Sequence, residues 1–241
     1  MVEKNYKYFS FIMAAFVTVL LCSNLIGPAK ICQVHLPFAM PFVGSLVVFG
    51  AGNLFFPISY IFGDILTEVY GYARARKVIW AGFGAMIFAT FMSQVVIHMP
   101  VYDPEPFNRV LQPALETVFG STGRIVLASI MAFWAGDFVN AYVLAKMKIL
   151  TSGRFLWTRT IGSTIVGQSV DSLIFYPVAF YGIWNNEGLL AVILFNFVFK
   201  VSVEIIMTPL TYKAVSTLKH VENEDHYDVS TNFSPFKLGN H

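Results

Sequence analysis

The chain has 241 residues, of which 56% are hydrophobic, 16% aromatic and only 12% charged, with a net charge of +2. Soluble domains carry about 25% charged residues, and 16 Lys+Arg with 14 Asp+Glu are too few to cover a protein of this size with a water-facing surface. A mean hydropathy of +0.63 therefore excludes the soluble and disordered classes. Long continuous apolar runs also exclude a barrel of alternating strands of about ten residues. The composition predicts an all-α membrane protein. Its two cysteines, Cys22 and Cys32, make neither a disulfide framework nor a metal cluster.

Six spans of about 20 apolar residues are read at 9–27, 43–70, 78–99, 124–146, 160–183 and 188–213. Lys4 and Lys7 precede the first. The stretch from Phe9 to Ile26 is long enough to cross a membrane, so it reads as a retained span rather than a signal peptide. Val19, Leu20 and Leu21 before Cys22 lack the small residue of a lipidation site. The second segment contains Gly50, Gly52, Pro57 and Gly63 and ends in Asp64 and Glu68, which predicts a kinked or broken helix, a pointer to a transporter's binding site.

Between the third and fourth spans, Asp103-Pro-Glu-Pro106 precedes Phe107, Val110, Leu111, Ala114, Leu115, Val118 and Phe119. That spacing predicts an amphipathic helix, lying on the membrane or acting as an outer lid. Residues 1–218 are read as one six-helix transmembrane domain. Residues 219–241, with Glu222, Glu224, Asp225 and Asp228, are read as a flexible polar tail.

Loop charge sets the orientation. With the N-terminus inside, the inner side collects 12 of the 16 Lys/Arg, the outer side has Lys30, Arg109 and Arg124, and Lys200 lies within a span. Both termini are expected in the cytoplasm. Small residues four apart, Ala81-Ala85-Ala89 and Ala128-Ala132-Gly136, allow close helix contact within the bundle or across a homodimer. Three plus three spans permit an inverted repeat, but the halves show no convincing match.

Ionisable side chains inside a membrane cost about 2.5–3.5 kcal/mol each on insertion scales, so their positions carry the functional signal. Asp64 and Glu68 share a helix face at i, i+4. Gln168 and Asp171 are i, i+3, and Asn196, Lys200 and Glu204 form a stripe at i, i+4, i+8. Asp137 and Asn140 lie in span four, and Asn24, Asn53 and Gln94 add neutral polarity. Structural roles stand beside functional ones. Lys200 either neutralises Glu204 or another carboxylate or meets a ligand; Asp64 and Glu68 either bind a ligand or pair with Arg74, Arg76 and Lys77; Asp137 either packs or binds. Five carboxylates against one lysine leave an excess of acid. Carboxylates accept paired N–H donors, and nearby aromatics such as Tyr60, Trp134, Phe175 and Tyr176 stack on flat rings. The ligand class that fits is planar, donor-rich, and neutral or cationic.

The run Phe56-Pro-Ile-Ser-Tyr60-Ile-Phe-Gly63-Asp64-Ile-Leu-Thr-Glu68-Val-Tyr-Gly71-Tyr72, followed by Ala73-Arg74-Ala75-Arg76, resembles the hallmark of the queuosine precursor transporter family, formerly the vitamin uptake transporter family. Ser23-Asn24-Leu25-Ile26 with Lys30-Ile31, Gln168 with Asp171, and Lys200 through Glu204 with Pro209 and Tyr212 extend the resemblance over most of 20–215. Asn53 beside the kink is a departure from it.

The resemblance implies import of 7-deazaguanines such as preQ0, preQ1 or queuine across the bacterial inner membrane. The substrate-binding set expected is Asn24, Tyr60, Asp64, Glu68, Gln168, Asp171, Asn196, Lys200 and Glu204. Asp64, Glu68 or Asp171 would take the N–H edge, with Asn196 or Gln168 at the carbonyl side and Lys200 balancing Glu204. No catalytic residue, metal or cofactor is called for, and the partners are the substrate, the lipid bilayer and a possible second copy, not nucleic acid. Two alternatives have different requirements. A binding subunit would need a separate ATP-driven module, since the chain has no GxxxxGK[ST] loop. An intramembrane enzyme would need a motif such as HExxH, which is absent.

Overall fold

The computed structural model describes residues 6–26, 30–40, 44–102, 104–120, 123–182 and 186–237. Its elements in order are α1 (Phe9–Leu25), strands β1 (Ile31–Met40) and β2 (Gly44–Gly50), a 3-10 turn (Ala51–Leu54), α2 (Phe56–Tyr70), α3 (Tyr72–His98), α4 (Asn108–Phe119), α5 (Gly123–Leu150), α6 (Leu156–Phe180) and α7 (Asn186–Glu222). Lys4, Asp103 and the side chains of Asn53 and Pro57 lie outside what is described.

The described residues form seven α-helices, the helical class expected, with one addition: β1 and β2 form an antiparallel hairpin, Ile31 opposite Gly50 and His35 opposite Leu46. One expectation is corrected. The segment read as one helix over 43–70 is helical only from Phe56. Glycines at 44, 50 and 52 weaken a helix, while a short apolar run such as Leu46-Val47-Val48-Phe49 suits strand as well as helix. Pro57 occupies the first turn of α2, where its missing N–H costs nothing. The helix ends at Gly71, whose φ of 86° and ψ of 164° suit glycine alone. With 15 residues, α2 is about 22 Å long, shorter than a hydrocarbon core of about 30 Å.

Tyr72–His98, Arg124–Leu150 and Ile193–Glu222 are long and apolar enough to cross a membrane. The pattern of α6 is inverted relative to a soluble protein: Thr160, Ser163, Thr164, Gln168 and Ser172 are buried, whereas Ile165, Val166 and Leu173 face outward. Phe88 and Phe91 of α3 and Val198 and Ile206 of α7 face outward too. A polar interior inside an apolar exterior is the arrangement a bilayer selects.

Close helix contact occurs at glycines. A side chain at Gly82 of α3 would meet Leu20 of α1 at 2.8 Å, and one at Gly167 of α6 would meet the Gly136 carbonyl of α5 at 3.0 Å. Ala128 and Ala132 are buried within the chain, so that stripe packs the bundle.

The starts of α1, α3 and α6 and the ends of α2, α5 and α7 meet at one end. There Glu222 accepts hydrogen bonds from the Lys7 and Tyr8 amides (3.0 and 2.7 Å) and from the Tyr70 hydroxyl (3.0 Å). At the other end α4 is tied to α3: Gln112 donates to the Ile97 carbonyl and Gln94 to the Phe119 carbonyl, both at 2.9 Å. Arg124 reaches the carbonyls of Val178 and Tyr181.

Residues 223–237, within the segment expected to be a flexible tail, run back along α2, α3 and α5. The Tyr72 amide donates to Asp228 at 3.0 Å, Arg76 to the Asn232 and Ser234 carbonyls at 2.8 and 2.6 Å, and Trp80 to the Pro235 carbonyl at 2.7 Å. Phe233 packs at a tilt against Tyr72 and edge-on against Tyr142, and Phe236 packs at a tilt against Trp80 and Trp134. Phe233 and Phe236 anchor it on α3 and α5, and Tyr227 lies under the Lys148 ammonium.

Candidate functional site

Helical periodicity places Tyr60, Asp64 and Glu68 on one face of α2, and the bundle closes over that face, leaving Asp64 and Glu68 0% exposed. Their surroundings then diverge. Glu68 lies where three helix ends bring cations. Its Oε1 accepts hydrogen bonds from Lys219 of α7 at 2.7 Å and Arg159 of α6 at 2.8 Å, and its Oε2 accepts from Arg159 Nε at 3.3 Å. Lys148 of α5 stands 3.5 Å from Oε1 and donates to the Glu68 carbonyl at 2.6 Å. Asp225 of the tail bridges Lys148 (2.6 Å) and Lys219 (2.8 Å).

The structure places other cations on Glu68 than Arg74, Arg76 and Lys77. Arg74 covers the Tyr6 ring, 4.5 Å from its centroid, and donates to the Tyr70 carbonyl. Arg76 holds the tail.

One turn along α2, Asp64 is fully buried, and so is Glu204 of α7. Neither carboxyl has a hydrogen-bond donor at full bonding distance, and the Asn140, Gln168 and Ser172 side-chain oxygens are likewise buried without a partner. The Gly136–Gly167 crossing brings these groups together. A side chain at Gly167 would strike Asn140, and one at Gly136 would strike Asp171. Asp171 pairs with Lys200 at 2.9 Å, so the lysine of α7 serves Asp171 rather than Glu204. A cavity of about 20 Å³, lined by Tyr60, Gly63, Thr67, Asp137 and Asn140, adjoins this centre. It has room for about one water molecule.

Asn24 stands apart from this centre. Its amide nitrogen donates to the Leu20 carbonyl and its oxygen accepts from Ser129 of α5 (2.9 and 3.0 Å). It lines a second cavity of about 130 Å³ with Met86, Thr90, Ser129 and Phe175. Phe175 is one helical turn beyond Asp171, so α6 runs from this cavity to the polar centre. Asn196 is half-buried one turn before Lys200 on α7.

The nine residues expected to bind substrate thus fall into three places. Tyr60, Asp64, Gln168, Asp171, Asn196, Lys200 and Glu204 belong to the centre or the adjoining turns of its helices, Asn24 to the larger cavity, and Glu68 to the ion cluster. Sequence reading did not include Asn140 in that set, although its amide inside a span was the signal. It also missed Arg159, Lys148 and Lys219 as the partners of Glu68. Those residues sit at helix ends, where basic residues are ordinary.

The sequence profile of a family described as "Putative vitamin uptake transporter" matches residues 50–214. A "Probable queuosine precursor transporter" of Bacillus subtilis (strain 168) is 33% identical over 202 residues, covering 82% of this chain and 84% of that protein. The "Queuosine precursor transporter" of Escherichia coli (strain K12) is 23% identical over 158 residues, 64% of this chain and 67% of the relative. No solved structure matches the chain. The matched region contains α2 and all of the polar centre, and the family is one of transporters, not enzymes; this chain belongs to the vitamin uptake transporter family.

Proposed function

We propose that this protein imports queuosine precursors, 7-deazaguanines such as preQ0, preQ1 or queuine, across the bacterial inner membrane. The observation that carries the reading is the set of buried oxygens of Asp64, Asn140, Gln168, Ser172 and Glu204 lacking a hydrogen-bond partner in the middle of the bundle. Buried polar groups are nearly always satisfied, and a group of exceptions at one place suits a hydrogen-bonding ligand. The names of the relatives from Bacillus subtilis and Escherichia coli supply the substrate class.

In this reading six spans cross the membrane with both termini in the cytoplasm, and the ion cluster and tail lie on the inner side. The amphipathic α4 lies on the outer side. The cavity of Asn24 and Phe175 receives the planar base from outside and stacks it. Deeper in, Asp171 accepts its N1–H and 2-amino donors, while Gln168 and Asn196 meet the carbonyl side and Tyr60 flanks the ring. The small volume at the centre requires α2 and α7 to separate from α5 and α6 as substrate passes. Glu68, filled by its three cations, holds the inner end together. A homodimer would use the partly exposed Ala81, Ala85 and Ala89 of α3.

The test is uptake of radiolabelled preQ1 and queuine in cells expressing the wild type, Asp171→Asn or Gln168→Ala. Wild-type uptake should exceed that of either variant at least tenfold. Uptake of a B vitamin instead, or normal queuosine-precursor uptake by both variants, would overturn the assignment.

A further inference from the structure

We propose that residues 223–237 form a strap that latches the inner end of the bundle, with Asp225 as the latch. Lifting the strap unbalances the Glu68 cluster and lets that end open. The inference rests on the transport reading above and adds to it the element that controls release to the inside.

The strap starts at a fixed turn. Asn223 follows α7 in the left-handed region (φ 47°), and the Glu224 amide donates to the Lys219 carbonyl at 3.1 Å, a cap that turns the chain at a helix end. From there one segment touches α2, α3, α5 and α7. The His226 amide donates to the Val69 carbonyl of α2 at 3.4 Å, and the Lys148 ammonium of α5 donates to the His226 carbonyl at 2.8 Å. Two glycines make room for it: a side chain at Gly71 would strike the His226 ring, and one at Gly153 the Tyr227 hydroxyl. The Tyr72 hydroxyl of α3 donates to the Phe233 carbonyl at 3.0 Å, and the Lys146 ammonium of α5 lies 4.0 Å from the centre of the Phe233 ring. Ahead of α1, the Tyr6 hydroxyl donates to Glu224 at 2.9 Å.

Charge links this grip to opening. With the strap seated, the cations Arg159, Lys148 and Lys219 face two carboxylates, Glu68 and Asp225. With it lifted, the same three cations share Glu68 alone, and the buried Lys148 also loses the His226 carbonyl. Uncompensated charge at a buried position is costly. The cost is relieved when the ends of α5, α6 and α7 part from α2 and admit water. While Asp225 is in place it joins Lys148 of α5 to Lys219 of α7, so the two ends stay together.

The strap is also built to lift. Residues 224–237 contain no helix or strand, so their departure breaks no regular ladder. The Asp225 side chain is 46% exposed and Phe236 69%, and ion pairs of half-exposed groups are weak. Segments held this way open locally while the helices beneath them remain folded.

The experiment pins the strap reversibly. Full-length protein with Cys22→Ser and Cys32→Ser also carries Tyr142→Cys and Phe233→Cys, at positions whose rings lie 5.3 Å apart. The two thiols are joined by a short bis-methanethiosulfonate before reconstitution into sealed vesicles. Uptake of radiolabelled preQ1 should fall at least tenfold on linking and return with dithiothreitol. Equal uptake by the linked and reduced forms, or a loss that reduction does not reverse, would overturn the proposal. Unmodified protein is the control: no preQ1 uptake by it would refute the transport reading itself, whereas normal uptake that ignores the link would refute only the strap. A second readout needs no transport. In the same background without Cys22 and Cys32, Val69→Cys places a thiol at a fully buried position beneath the strap. Labelling by N-ethylmaleimide should be at least tenfold faster when Asp225→Ala is added and stay slow when Asp225→Glu is added. Equal labelling of all three proteins would equally overturn the assignment.

Discussion

Asp64 and Glu68 are one helical turn apart on α2, have the same chemistry and are equally buried, yet their surroundings are opposite. Glu68 is met by Arg159, Lys219 and Lys148. Neither oxygen of Asp64 has a hydrogen-bond partner. Removing one partner from a satisfied buried ion cluster leaves uncompensated charge, whereas neutralising an unsatisfied carboxyl removes a desolvation cost. Burial and spacing therefore do not set a carboxylate's surroundings; the groups brought by other helices do.

The comparison can be broken at several points. Glu68→Ala should have the largest effect, about 3–5 kcal/mol of stability, seen as a sharp fall in the melting temperature of the detergent-solubilised protein. A wild-type melt would mean that the cluster is not a staple. Next is the pair at the centre. Asp171→Asn leaves Lys200 without its carboxylate and should cost about 1–3 kcal/mol, part of which Asp171→Asn/Lys200→Met restores. Equal melts for the single and double variants would show that the two residues are uncoupled. Asp64→Asn should shift stability by no more than about 1 kcal/mol, in either direction, read by the same thermal melt.

The smallest effect concerns the tail. Burial alone would raise the Asp225 pKa, but hydrogen bonds from Lys148 and Lys219 hold it below the ordinary aspartate value. Asp228 is also held low: burial opposes it, while His226, the Tyr72 amide and Thr231 prevail. A depressed folded-state pKa contributes stability that is present above the unfolded value of about 3.9 and lost as pH falls through the folded one. The melting temperature should thus be insensitive to these groups from pH 7 to about 4 and fall below that. Asp225→Asn should flatten part of the fall, measured by thermal unfolding across pH.

Much of this was legible from residues alone. Long apolar runs predicted α3, α5 and α7, and polar side chains inside apolar segments drew attention to Asp64 of α2, Gln168 and Asp171 of α6, and Lys200 and Glu204 of α7, because burying such groups is costly. The hairpin was not legible, since an apolar run of a few residues between glycines has no period that separates strand from helix. The partners of Glu68 were not legible either. Arg159 is 91 residues away in sequence and Lys219 is 151 away, and both look like ordinary helix-end cations. The tail's polar composition concealed two anchors, Phe233 and Phe236, whose docking faces are formed by α3 and α5.

The sequence by itself determined the solvent and the inventory: a chain with 12% charge is built for lipid, and its few carboxylates and amides inside apolar segments are the groups whose burial needs a reason. Only the tertiary structure decided which of them are spent. Membrane insertion cost depends on residue type and depth, which a single chain segment specifies. Neutralisation depends on which helix ends converge, and that is a property of the packed bundle. So Glu68, Asp171 and Lys200 have ionic partners, and no hydrogen bond reaches the carboxyl oxygens of Asp64 and Glu204.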